Sequence, residues 1–121
     1  MNEIEITKKF EISNEDITNL MVCALEGGIN YWCGKAEVTV QPIEDWNYAS
    51  DVIALTNGVI TLHDAESDDK WELTKEKFLK GLVKTMEWGD YKDVEELMDA
   101  HDAEVADVLI QYAIFDEIVF G

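Results

Sequence analysis

Hydrophobic and polar residues alternate over residues 3–12, where Ile4, Ile6, Phe10 and Ile12 are separated by Glu and Lys. A period of two predicts a half-buried strand, with an irregularity near Lys8-Lys9. The period changes after Ser13. Ile17, Leu20, Met21, Ala24 and Leu25 recur at helical spacing, with Ser13 as N-cap and Glu15 and Asp16 in the first turn, where acids favour the helix dipole. Gly27-Gly28 is expected to end that helix through a left-handed C-cap. Ile29, Tyr31, Trp32 and Cys33 then lead into a strand ending at Val40, and Pro42 opens an irregular loop containing Trp46 and Tyr48. Residues 51–64 read as a β-hairpin, Val52 to Thr56 and Val59 to His63, because Asn57-Gly58 supplies the positive φ angles of a tight turn.

Beyond an acidic loop from Asp64 to Lys70, Thr74 is placed to cap a helix carrying Phe78, Leu79, Leu82, Val83 and Met86 and stopped at Gly89. Lys75, Lys77, Lys80 and Lys84 occupy its polar side. A short helix follows, with Val94, Leu97 and Met98 inward. Asp102 caps the last helix, residues 103–115, which is apolar around most of its circumference and leaves only Glu104, Asp107 and Gln111 as a narrow polar stripe. Such a helix is expected at the centre of the core. Ile118 to Phe120 read as a short closing strand. The fold class that follows is α+β: a small, mainly antiparallel sheet with an Asn-Gly hairpin, packed by three to four helices, in a single domain over residues 1–121.

Composition narrows the function classes. Hydrophobic residues are 47% of the 121, enough for a folded core. No run approaches the ~20 apolar residues of a membrane span, and no apolar run follows a basic start as in a secretory signal. Nine Lys, no Arg and 27 acids give a net charge of −18, which argues against direct contact with nucleic acid or with anionic lipid. The charge is uneven. Residues 71–92 hold four acids and five Lys, whereas residues 93–121 hold nine acids and no base. Cys23 and Cys33 read as free thiols, because a small secreted scaffold carries more cysteines at regular spacing.

Candidate chemistry follows from these patterns. The loop Asp64-Ala65-Glu66-Ser67-Asp68-Asp69 alternates carboxylates as a calcium loop does, but Asp69 stands where the turn needs Gly and Lys75 where the bidentate Glu belongs. No metal site and no cofactor are therefore expected. His63-Asp64 and His101-Asp102 are the pairs a metal-dependent hydrolase would use, without the further His and Asp ligands it needs; no catalytic residue is assigned. Gly28, Asn30, Tyr31 and Trp32, with Trp46, are candidates for a pocket that takes a nucleoside or peptide by stacking and hydrogen bonding. Asp93, Glu96, Asp99 and Asp102 are spaced by three, which on one helix aligns carboxylates ~5–6 Å apart at Cβ, comparable to phosphates along a nucleic-acid strand.

Ala24-Leu25-Glu26-Gly27-Gly28-Ile29-Asn30-Tyr31-Trp32-Cys33, following Glu15-Asp16-Ile17, resembles the N-terminal signature of a family of small proteins from bacteriophages, prophages and other mobile elements. Asp102-Ala103, Ala106-Asp107, Gln111 and Phe115 to Gly121 are similar to that family's closing motif, with Asp116 where a small residue is expected. The resemblance implies an origin in mobile DNA and action in a bacterial cytoplasm.

The leading expectation is a non-enzymatic accessory protein that presents Asp93, Glu96, Asp99 and Asp102 to a host or phage protein with a basic surface, in the manner of a nucleic-acid mimic. A small-molecule or peptide binder built on Gly28 to Trp32 is the alternative, and a metal-dependent hydrolase the lesser one. A homodimer is allowed by all three.

Overall fold

The computed structural model describes residues 1–5 and 9–121. The strand expected over residues 3–12 falls partly outside them, and residues 3–5 and 9–12 form no strand. Helix α1 (Asn14–Cys23) begins where Ser13 Oγ accepts the backbone N–H of Asp16 at 3.1 Å. It runs on as a π-helical turn, Ala24–Gly28, closed by Ile29 N–H donating to the Ala24 carbonyl at 3.0 Å. The left-handed cap expected at Gly27-Gly28 is not formed, since neither glycine has a positive φ. Gly28 answers a packing need instead. A Cβ there would lie 2.8 Å from the Ala103 carbonyl oxygen and 3.3 Å from the Asp107 nitrogen, so only glycine lets the turn lie against the helix that starts at Ala103.

Strands β1 (Cys33–Val40), β2 (Val59–Asp64) and β3 (Lys70–Thr74) form one antiparallel sheet in the order β1-β2-β3. Registers Ala36↔Leu62, Val38↔Ile60, Ile60↔Leu73 and Leu62↔Trp71 put the apolar partners on one face. Glu37, Thr39, Thr61, His63 and Glu72 take the other face, as a period of two requires. The expected α+β class, with a small antiparallel sheet, is the observed one. The Asn-Gly hairpin is not. Val52 to Thr56 form no strand, and helix α2 (Ala49–Val52) and the turn after it occupy that place. Val52, Ile53 and Ala54 are all buried, which a helical turn achieves and an alternating strand does not. Asn57 does adopt a positive φ of 67°, and Gly58 folds so closely onto Val52 that a Cβ would meet the Val52 carbonyl oxygen at 2.7 Å. The pair thus turns the chain from α2 into β2.

Helices α3 (Lys75–Trp88), α4 (Val94–Ala100) and α5 (Ala103–Phe115) complete the fold. Thr74, Asp93 and Asp102 cap them, each side chain accepting an N–H three residues on. Helix α5 lies at the centre, as its composition predicts: every residue from Val105 to Gln111 is buried. It shares one hydrophobic core with Ile17, Leu20 and Met21 of α1, Leu73 of β3, Phe78, Leu82 and Met86 of α3, and Leu97 of α4. Asp116 ends α5 in the left-handed region at φ 63°, a conformation Asp tolerates better than most residues, and its carboxylate pairs with Lys84. Residues 118–120 form no strand; a side chain of α5 holds them instead.

Candidate functional site

Asp107 and Gln111 stand one turn apart on α5 and therefore project from the same side. That side faces inward: Asp107 is 8% exposed and Gln111 0%. Buried polar groups must find partners. Asp107 Oδ1 accepts from Trp32 Nε1 at 2.7 Å and from Gln111 Nε2 at 2.9 Å, while Oδ2 accepts the Tyr31 hydroxyl at 2.5 Å. Gln111 Oε1 accepts the backbone N–H groups of Val119 and Phe120, both at 2.8 Å, and Gln111 Nε2 also donates to the Phe120 carbonyl at 3.2 Å. One amide side chain thus replaces the strand neighbour that residues 118–120 lack. Phe120 then stacks on Trp32, with ring centroids 5.1 Å apart and planes 5° from parallel, and Phe115 and Trp71 pack around them. Partial burial, followed by the bond to Asp107 and its charge, pushes the Tyr31 hydroxyl up to about 12.

This node joins the two segments on which the family resemblance rests. The Gly27-to-Trp32 segment and the segment from Asp102 to Gly121 meet through Gly28 against α5 and through Asp107 and Gln111. In the sequence Asp107 and Gln111 read only as part of a narrow polar stripe, with no node assigned to them. The available signal was a pair of polar residues one turn apart on a helix otherwise apolar all round.

Beside the node opens a groove of about 510 Å³. Gly27, Gly28 and Tyr31 of the turn, Glu104, Asp107, Val108 and Gln111 of α5, and Trp88, Ile118 and Phe120 line it. Of the five pocket candidates, Gly28 and Tyr31 meet here. Asn30 instead lines a depression of about 520 Å³ with Leu25, Ile29 and Cys33. Trp46 lies elsewhere again, beside Asn14 and Thr18 of α1. Trp32, 2% exposed, is part of the core. The five residues are thus divided among separate places.

Asp93, Glu96, Asp99 and Asp102 are all exposed, as are Glu95 and Glu104. They do not lie on one helix. Helix α4 ends at Ala100, His101 is extended at φ −65° and ψ 139°, and Asp102 opens α5. Asp93 is itself an extended cap, so only Glu96 and Asp99 share helical geometry. The cause is local: Asp93 Oδ1 accepts Glu96 N–H at 2.8 Å and Asp102 Oδ1 accepts Val105 N–H at 3.0 Å, and a capping carboxylate marks a helix start. Glu96 Oε2 in turn accepts Lys92 N–H at 3.2 Å. Among the described residues no lysine forms an ion pair with any of these six acids; the α3 lysines Lys80 and Lys84 pair with Glu76 and Asp116.

The histidines engage separate partners. His63 Nε2 lies 3.1 Å from Glu37 Oε1, and His101 Nδ1 lies 2.5 Å from the Met98 carbonyl. The hydrogen bond from His63 and the neighbouring Lys35 hold the Glu37 carboxyl below the usual range. In the 64–69 loop, Asp64 and Ser67 accept the N–H groups of Glu66 and Asp69. Among the described residues no group of three or more His, Cys, Asp or Glu is placed to hold a metal ion. Cys23 and Cys33 are free, and burial pushes both thiols up. No helix of the described residues is long and apolar enough to cross a membrane. No protein-family model, no curated protein and no solved structure matches the chain.

Proposed function

We propose that this chain is a non-enzymatic accessory protein of bacteriophage, prophage or mobile-element origin, acting in a bacterial cytoplasm by binding a host or phage protein with a basic surface. The observation that carries this reading is the edge formed by α4 and the start of α5, where Asp93, Glu95, Glu96, Asp99, Asp102 and Glu104 are exposed and, among the described residues, form no ion pair with lysine. Charges left unneutralised at a surface attract an opposite field and speed encounter with it. Asp93 and Asp102 spend one oxygen each on a helix cap, which fixes their carboxylates in place. Such fixed acids lose little side-chain freedom when a partner docks.

Binding that replaces nucleic acid on a basic protein is the finer form of this reading. It rests on the density of carboxylates along the edge and not on a single-helix row. The experiment is capture from bacterial lysate by the immobilised full chain at low salt and at about 0.5 M salt, where screening shortens the reach of charge to a few ångströms. Nucleic-acid-binding proteins are retained at low salt, released at high salt, and displaced by added duplex DNA. Retention that is indifferent to both salt and DNA contradicts the reading.

A further inference from the structure

We propose that the groove between the Gly27–Tyr31 turn, α5 and Trp88 is a binding site for a guanidinium group, supplied as an arginine side chain of the basic partner. The occupant's source rests on the protein-binding reading above; the site's chemistry does not. Three observations meet in the groove.

The first is charge. Among the described residues the lining holds two carboxylate side chains, Glu104 and Asp107, and no lysine or arginine. Asp107 is a nearly buried carboxylate whose partners among the described residues, Trp32, Tyr31 and Gln111, are neutral donors. Hydrogen bonds satisfy its oxygens without cancelling its charge, and a buried charge is ordinarily paired with an opposite one. A cation in the groove completes that pairing from the open side.

The second is the wall. Tyr31 and Trp88 are 55% and 40% exposed, and both line the groove. Aromatic faces attract cations, and a planar guanidinium both stacks on such a face and forks onto a carboxylate. Glu104, an exposed lining residue, is the carboxylate within reach of solvent. The groove's volume of about 510 Å³ lies in the ordinary range for ligand sites, ~300–1,000 Å³.

The third is Gly27. Its neighbour Gly28 is demanded by packing against α5, but Gly27 is not: its φ is not positive, and a Cβ built there meets nothing within 4 Å. A helical glycine without a steric reason is a net cost to the fold. Gly27 lines the groove, and a Cβ there would have open space around it. Keeping the groove open accounts for the residue where the fold does not.

The test is an NMR titration of the full chain with N-acetyl-arginine methylamide, alongside the uncharged citrulline analogue. Expected are shifts confined to Gly27, Tyr31, Trp88, Glu104 and their neighbours, half-saturating on the order of millimolar, with at least tenfold weaker binding of the citrulline compound. Gly27→Leu folds with unchanged or raised thermal stability and loses the arginine shifts; Glu104→Gln weakens them severalfold. Equal response to both compounds, shifts spread elsewhere, or undiminished binding by a folded Gly27→Leu chain overturns the proposal. If the probe fails to bind while salt-sensitive capture of basic proteins persists, the groove site is wrong and the protein-binding reading stands. If the probe binds and no such protein is captured, the reverse holds.

Discussion

Two acidic regions lie within one short stretch of chain and behave oppositely. Asp107, on α5, is nearly buried and accepts three hydrogen bonds, two of which tie the Tyr31-Trp32 turn to the helix. Asp93, Glu95, Glu96, Asp99, Asp102 and Glu104, ending only three residues earlier, stay in solvent and, among the described residues, form no ion pair with lysine. The comparison teaches that net charge alone says little about role. A carboxylate surrounded by fixed donors holds the fold, while one facing water adds to a field that another molecule can feel.

The sharpest way to break the contrast is at the node. Asp107→Leu strands the Trp32 N–H, the Tyr31 O–H and one Gln111 N–H without their acceptor, and urea unfolding should show a loss of about 3 kcal/mol or more. Gln111→Leu should cost about 2 kcal/mol, since Val119 and Phe120 lose the oxygen both share. Hydrogen exchange at those two amides should quicken selectively. At the edge the effects are smaller: Asp102→Ala removes a cap and costs about 1 kcal/mol, Asp102→Asn retains most of it, and Asp99→Asn changes stability by less than about 0.5 kcal/mol. Thermal melts of the three proteins check that order.

The mildest prediction concerns pH. The Tyr31 hydroxyl is raised from 10.0 to about 12, first by burial and then by Asp107. The folded chain therefore holds this proton more tightly than the unfolded chain. Its contribution is fully present below pH 10 and is lost as pH rises towards 12, so stability falls across that window. Tyr31→Phe should flatten that fall, as measured by denaturant midpoints over the alkaline range.

Features that depend on local chemistry were legible before the structure. The Ser13, Thr74 and Asp102 caps and the bounds of α5 follow from residues within a turn of each other. Features set by distant partners were not. Val52, Ile53 and Ala54 read as a strand because β-branched residues precede an Asn-Gly turn, yet the core needed all three inside. Gly28 looked like a helix stop, and its actual constraint is a carbonyl 75 residues away in the chain, that of Ala103. Spacing by three suggested one row of acids, but Asp102 begins a new helix, so the caps that the pattern also contained divided it. At the candidate site, Gly28 and Tyr31 were proposed from their glycine and aromatic character, whereas Glu104, Asp107, Gln111 and Trp88 line the same groove through tertiary packing.

The central claim is that the exposed acids of the α4–α5 edge dock a basic protein surface. Its most direct test is capture by a chain carrying Asp93→Asn, Glu96→Gln, Asp99→Asn and Asp102→Asn, changes that retain cap geometry while removing four charges. The account predicts a folded protein of near-normal stability that no longer retains the basic proteins held by the parent chain at low salt. Undiminished retention of the same proteins would contradict it.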